Sequence, residues 1–113
     1  SLHDALPILY AGQIIEKGTA KEMIFDSMHP YSRGLMGSII VPEAGIRDKK
    51  LSVIPGTPPN LKNPPKGCRF AERCKYVKPE CYVQSISPKI FGDDRMYCCV
   101  YSIEQLKEVY ADE

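Results

Sequence analysis

The chain has 113 residues, a formal net charge of +1, ten prolines and eight glycines. This length suits one small domain, and small domains bury a limited share of their surface. A net charge near zero argues against a nucleic-acid binder, whose affinity depends on neutralising phosphates. No run approaches the roughly 18 consecutive apolar residues that a membrane-spanning helix needs. We therefore expect a protein that is soluble or peripheral to a membrane.

The first eight residues, SLHDALPI, do not fit the pattern that follows them. They look like the in-frame translation of a sequencing adapter joined to a truncated gene. We interpret residues 1–8 as a sequencing artefact and assign them no function. The chain also begins without Met, and we expect it to be a fragment of a longer protein.

A strand and a first helix are predicted after this octapeptide. Leu9 to Lys17 reads as a strand with a turn at Ala11-Gly12. Thr19 to Met28 predicts a helix, because Thr19 and Glu22 form a capping box. Its apolar positions form one stripe, which predicts a buried face: Ala20, Met23, Ile24 and Met28.

A second helix is predicted from Pro30 through Ile40, since proline suits the first helical position. His29 precedes it, and for this side chain we favour a helix cap over a metal ligand. Residues 41–66 contain six prolines and the charge cluster at 47–50. This composition predicts an extended linker, with a short strand at 51–54.

All five cysteines follow the linker, with the spacing C-x5-C-x6-C-x16-C-C. They are Cys68, Cys74, Cys81, Cys98 and Cys99. Disulfides are one interpretation, but the count is odd and there is no secretory signal. Zinc, an iron-sulfur cluster and free buried thiols are the others. Spacings of five and six do not form zinc knuckles, whereas a cluster, being larger than one ion, tolerates them better.

Basic residues lie among the first three cysteines: Arg69, Arg73, Lys75 and Lys78. Four thiolates make an anionic site with zinc or with a 4Fe-4S cluster, so nearby cations lower the thiol pKa values and offset the charge. They favour a metal over disulfides and do not choose between metals. Gly67 is expected to let the backbone approach the centre, and Phe70 is expected to shield it from water.

After Cys81, the turn at Gly92 to Asp94 predicts that the chain returns as a strand over Arg95 to Tyr101, carrying the last two cysteines. Ser102 and Gln105 form a second capping box, which predicts a C-terminal helix within residues 102–113. The predicted fold class is therefore a small, irregular α+β protein. It has a terminal strand and two short helices, the proline-rich linker, and a four-cysteine module at residues 67–101.

The segment IPGTPPNLKNPPKGCRFAERCKYVKPEC at 54–81, with HPYSRGL at 29–35, resembles the C-terminal region of the ATP-binding subunits of oligopeptide and dipeptide ABC importers. The resemblance implies that residues 9–40 are the tail of the nucleotide-binding domain. It also implies a 4Fe-4S cluster on Cys68, Cys74, Cys81 and Cys98. Cys99 would be a spare neighbour, and an exchange of roles between Cys98 and Cys99 stays open.

The resemblance further implies transmembrane permease subunits and a second ATP-binding subunit as partners, with the protein peripheral at the cytoplasmic face of the cell membrane. ATP and Mg would bind in an upstream domain. The chain itself has no G-x-x-x-x-G-K-S/T loop and no Ser-Gly-Gly-Gln signature, so we expect no ATPase activity from it. The alternative is a free-standing zinc-binding interaction module.

Overall fold

The computed structural model describes residues 4–39 and 54–113. These residues form one four-stranded antiparallel sheet, three α-helices and two short 3₁₀ turns, which confirms the predicted α+β class. In chain order the strands and helices are β1 Leu6–Tyr10, β2 Gln13–Gly18, α1 Ala20–Asp26, α2 Pro30–Ile39, β3 Lys89–Phe91, β4 Arg95–Tyr97 and α3 Ile103–Ala111. The 3₁₀ turns are Ala71–Arg73 and Pro79–Tyr82. The predicted strand at 51–54 and the charge cluster at 47–50 lie outside the described residues, apart from Ile54.

A hairpin opens the described chain. Ala11 and Gly12 both adopt positive φ angles, 49° and 79°, as a two-residue hairpin turn of the mirror-image type requires. The predicted turn is therefore confirmed. The first strand begins earlier than expected, because Leu6 pairs with Gly18. Residues 6–8 thus pair within the sheet, and their interpretation as a sequencing artefact stays a prediction.

The sheet has the order β1-β2-β4-β3. Strand β4 returns from the cysteine module to pair with β2, placing Glu16 opposite Tyr97. The predicted strand over 95–101 ends at Tyr97. One further ladder-like bond follows, since the Cys98 N–H donates to the Ile15 carbonyl at 2.8 Å. Cys98 and Cys99 therefore leave the sheet at its centre.

Both predicted capping boxes are present. At α1 the Thr19 hydroxyl accepts from the Glu22 N–H at 3.2 Å, and the Glu22 carboxylate accepts from the Thr19 N–H at 2.7 Å. This helix ends at Asp26, two residues before the predicted Met28. Ile24 is 41% exposed, so the predicted stripe does not bury it. The helix is too short to present its whole apolar set to one neighbour.

A carboxylate lies buried where β2 meets the junction of α1 and α2. Glu16 is fully buried and accepts from the main-chain N–H groups of Met28 at 2.7 Å and His29 at 2.8 Å. The guanidinium of Arg95, on β4, lies 3.8 Å from it and also donates to the side chain and carbonyl of Asp26. Burial raises the pKa of Glu16, and these donors oppose that effect by favouring the ionised form. The Glu16–Arg95 pair therefore joins strands β2 and β4 to helices α1 and α2.

The chain folds back on itself tightly at the start of the cysteine module. The Cys68 N–H donates to the Cys81 carbonyl at 2.7 Å. A Cβ on Gly67 would overlap the Cys81 carbonyl oxygen and would lie 2.8 Å from the Tyr82 carbonyl carbon. Gly67 is therefore required for a close backbone approach, while the predicted approach to a metal centre stays a prediction. The partner that it approaches is the main chain at 81–82.

Replacing the buried carboxylate by its amide tests its role. Glu16→Gln leaves only one acceptor oxygen for two main-chain donors, so we expect the free energy of unfolding to fall by about 2 kcal/mol. Urea denaturation of the purified chain measures the change. Glu108→Gln, the same change on the exposed side of α3, should move stability by less than about 0.5 kcal/mol. Equal stabilities of the two variants would contradict the role given to Glu16.

Gly67→Ala tests the close approach. The overlap is with rigid main chain, so we expect a loss of about 1 to 3 kcal/mol in the free energy of unfolding. Thermal or urea unfolding detects it. Gly37→Ala, at an exposed position within α2, is the matched control and should be neutral or stabilising, because alanine is the better helix former. A Gly67→Ala variant as stable as the unsubstituted chain would refute this packing.

Candidate metal centre

All five cysteines are free thiols. Cys81, Cys98 and Cys99 are buried, and Cys68 and Cys74 are half-buried. Free thiols with this burial, close to the centre of a small fold, are available as ligands for a soft metal centre.

Short turns position the first three cysteines. The Cys74 N–H donates to the Ala71 carbonyl at 3.3 Å, and the Cys81 N–H donates to the Lys78 carbonyl at 2.9 Å. A 3₁₀ turn over 71–73 lies between Cys68 and Cys74. At the third cysteine the Lys78 N–H also donates to the Cys81 sulfur at 3.4 Å. Such N–H to sulfur bonds stabilise a thiolate, which is the form that binds metals.

The mutual effects of the thiols identify which of them are neighbours. The pKa of Cys74 is raised to about 12, by burial first and then by the nearby thiols of Cys99, Cys68 and Cys81. The pKa of Cys99 is raised to about 11, again by burial first, with Cys68 and Cys81 adding to it. The pKa of Cys68 is raised by burial first, and the nearby thiols of Cys81 and Cys98 raise it further. Each of these four thiols therefore lies within electrostatic range of the other three.

Cys98 faces a different neighbourhood. Burial raises the pKa of its thiol and Lys89 opposes this effect. Its sulfur points toward the Ile14 carbonyl, 3.7 Å away. It also lines a polar cavity of about 200 Å³ that Cys68 and His29 share. Of the predicted ligand set Cys68, Cys74, Cys81 and Cys98, the structure groups the first three with Cys99, while Cys98 adjoins Cys68.

Within residues 4–39 and 54–113, no three His, Cys, Asp or Glu side chains converge closely enough to hold a single metal ion. The four thiols are thus neighbours without forming a compact single-ion cage. Their chemistry, four sulfur donors, matches zinc and iron-sulfur centres alike.

Aromatic side chains cover the thiols. Phe70 is 3% exposed, and its ring lies 5.2 Å from that of Tyr10 and 5.4 Å from that of Tyr31, so it is part of the core. Tyr101 is half-buried and donates to the Tyr76 carbonyl at 2.6 Å. Burial raises the pKa of Tyr101, and the thiols of Cys74, Cys81 and Cys99 raise it further. The phenol is therefore close to three of the four sulfurs.

Two arginines of the module hold it against the rest of the chain. Arg69 donates to the Ala11 carbonyl in the hairpin turn. Arg73 donates to the carbonyls of Ile54 at 3.1 Å and Pro55 at 3.0 Å, and to the Tyr10 hydroxyl at 3.3 Å. Arg69 and Arg73 therefore attach the module to the hairpin and to residues 54–55 through uncharged oxygens. The charge pattern alone did not predict this role.

The sequence suggested where His29 lies, at the start of α2, but it did not show which residues surround its side chain. Its Nδ1 accepts from the Tyr31 N–H at 3.0 Å, which confirms the predicted helix cap. The side chain is 1% exposed, and burial lowers its pKa to about 3, against a hydrogen bond to the Cys98 main chain that raises it. The imidazole is therefore neutral.

Lys89, which donates to the Cys99 carbonyl, was not singled out from the sequence.

No helix in the described ranges is both long enough and apolar enough to cross a lipid bilayer.

Comparison with known proteins identifies the relatives. The chain is 38% identical over 104 residues to the oligopeptide transport ATP-binding protein OppD of Haemophilus influenzae, covering 90% of this chain and 31% of that protein. It is 48% identical over 74 residues to OppD of Bacillus subtilis, covering 66% of this chain and 20% of the relative.

A third relative is OppD of Escherichia coli, 35% identical over 105 residues, which are 91% of this chain and 30% of that protein. The chain thus spans about a third or less of the length of these curated relatives. A profile of the family described as "Oligopeptide/dipeptide transporter, C-terminal region" matches residues 15–81, more than half of the chain. The matched residues begin at Ile15 on β2, include His29 and end at Cys81. On this evidence the chain belongs to the oligopeptide/dipeptide transporter C-terminal region family.

Proposed function

We propose that this chain is the C-terminal region of the ATP-binding subunit of a peptide ABC importer. The observation that carries the proposal is the family match over residues 15–81, joined to relatives whose names describe oligopeptide and dipeptide transport ATP-binding proteins. The complete subunit would pair with a second ATP-binding subunit and drive transmembrane permease subunits from the cytoplasmic face of the membrane. ATP and Mg would bind in the upstream domain, where phosphate-binding residues are required.

Within this region the cysteine module would hold a 4Fe-4S cluster. The donor set supports this, because four cysteine thiolates are the usual ligands of such clusters. The bond from the Lys78 N–H to the Cys81 sulfur supplies the kind of contact that tunes such centres.

Three ligands would be Cys68, Cys74 and Cys81, with the fourth from the pair Cys98 and Cys99. The family resemblance implies Cys98. The neighbourhood of the thiols favours Cys99, because Cys99 contributes to the raised pKa of Cys74 and its own pKa is raised by Cys68 and Cys81 after burial, whereas Cys98 contributes only to the raised pKa of Cys68. We therefore assign the fourth position to Cys99.

The role proposed for the centre is structural. The module contains only short turns and two three-residue strands, so few regular hydrogen bonds stabilise it. A centre that binds the folded form adds its binding free energy to that of folding. It would join residues 68–81 to the end of β4, and so hold the C-terminal module against the sheet that begins at β1.

A cysteine-to-serine series tests the ligand set. After anaerobic purification we expect iron and inorganic sulfide in roughly equal amounts, a brown colour and little zinc. Cys74→Ser and Cys99→Ser should each lose most of the iron, because serine cannot replace a thiolate in this soft-ligand site. Cys98→Ser, the adjacent and chemically identical change, should retain it. Loss of iron in Cys98→Ser with retention in Cys99→Ser would return the ligand role to Cys98.

The composition of the purified protein also separates the classes of function. One zinc without sulfide would overturn the cluster and favour the zinc-binding interaction module.

The transporter assignment has a separate test in the reading frame upstream of this chain. We expect it to encode a G-x-x-x-x-G-K-S/T phosphate loop and a Ser-Gly-Gly-Gln signature, and ATP hydrolysis to be absent from the 113-residue chain and present in the extended protein. An upstream frame without these motifs would refute the assignment.

A further inference from the structure

His29 is held rigidly at several points. Its main-chain N–H donates to the Glu16 carboxylate at 2.8 Å, and its carbonyl accepts from the Arg33 N–H at 3.0 Å. Its Nδ1 accepts from the Tyr31 N–H at 3.0 Å, and its ring packs edge-on against Phe70 with centroids 5.9 Å apart. The ring orientation is therefore determined by the start of α2 and by the core.

The ring of His29 adjoins the cysteine pair, since His29 and Cys98 line one polar cavity of about 200 Å³ together with Cys68. His29 forms a hydrogen bond with the Cys98 main chain that favours the protonated ring. Such a bond requires the ring to donate, because a donor facing the ring would disfavour protonation. Since Nδ1 already accepts the hydrogen bond from the Tyr31 N–H, Nε2 must be the donor and the Cys98 carbonyl the acceptor. A neutral histidine with one accepting and one donating nitrogen satisfies both contacts.

The bonded carbonyl belongs to the peptide unit that joins Cys98 to Cys99. Because a peptide unit is planar, fixing the direction of this carbonyl also fixes the direction in which the Cys99 backbone begins. The sheet has ended here, and its last contact is the Cys98 N–H to the Ile15 carbonyl. Lys89 donates to the next carbonyl, that of Cys99. His29 and Lys89 thus hold two consecutive carbonyls at the point where Cys99 turns toward the other thiols.

We propose that His29 is a positioning residue that orients the Cys99 thiol toward Cys68, Cys74 and Cys81 through its hydrogen bond to the Cys98 carbonyl. This inference rests on the proposed metal centre. It gives the histidine of the HPY segment two separable tasks. One is to cap α2, and the other is to fix the ligand-bearing peptide. Outer contacts of this kind commonly change metal affinity or activity 10- to 100-fold when they are removed.

The two tasks can be separated by substitution. His29→Asn and His29→Ser keep a good capping side chain for α2, but each is too short to reach from the helix cap to the Cys98 carbonyl. Thr19→Ala is the matched control, because it removes the cap of α1 and lowers stability without touching the cysteine pair. Circular dichroism and urea denaturation verify that the variants are folded and compare their stabilities.

The readout is the rate at which anaerobically purified 113-residue chain loses iron to a chelator, together with the visible absorption and electron paramagnetic resonance spectra of the cluster. We expect the two His29 variants to lose iron about tenfold faster or more and to show altered spectra, while Thr19→Ala stays within about twofold of the unsubstituted chain. Folded His29 variants with unchanged release and spectra would overturn the positioning role. Unsubstituted chain without iron and sulfide would instead overturn the proposed cluster.

Discussion

The buried carboxylate of Glu16 is the constraint on which the described structure depends. A fully buried carboxylate is costly unless several donors surround it. Here the donors come from the α1–α2 junction and from Arg95 on β4. The α1–α2 junction and β4 are therefore both held against β2 by the Glu16 carboxylate. Glu16 also pairs with Tyr97 across the sheet, so the strand that leads to the last two cysteines and the segment that carries His29 share one anchor.

This arrangement relates the two parts of the family pattern, HPY and the cysteines, which lie far apart in sequence. The Glu16 carboxylate fixes the main chain of His29, and His29 reaches the peptide between Cys98 and Cys99. Phe70, two residues after Cys68, packs on the same imidazole. The HPY segment is thus both the start of a helix and one wall of the thiol site, which explains physically why a capping histidine is buried here.

The cysteine module attaches to the hairpin through polar contacts and a small apolar core. Arg69 and Arg73 bind main-chain oxygens of the hairpin turn and of residues 54–55, and Phe70 inserts among Tyr10 and Tyr31. The module has little regular structure of its own, and its thiols repel one another when ionised. A cationic centre would remove that repulsion and join the two ends of the module, so the proposed cluster and the fold support each other energetically.

From the sequence alone, local chemistry determined the capping boxes at Thr19 and Ser102, the start of α2 at Pro30, the turn at Ala11-Gly12 and the α+β class. Each of these depends on residues a few positions apart. Tertiary structure decided what depends on distant partners. It ended β4 at Tyr97, brought residues 6–8 into the sheet and buried Glu16 beside Arg95. It also brought the Cys99 thiol within electrostatic range of Cys68, Cys74 and Cys81. Two adjacent cysteines are equivalent in sequence, and only the direction of the peptide between them, set by contacts from β2, β3 and the start of α2, makes them different.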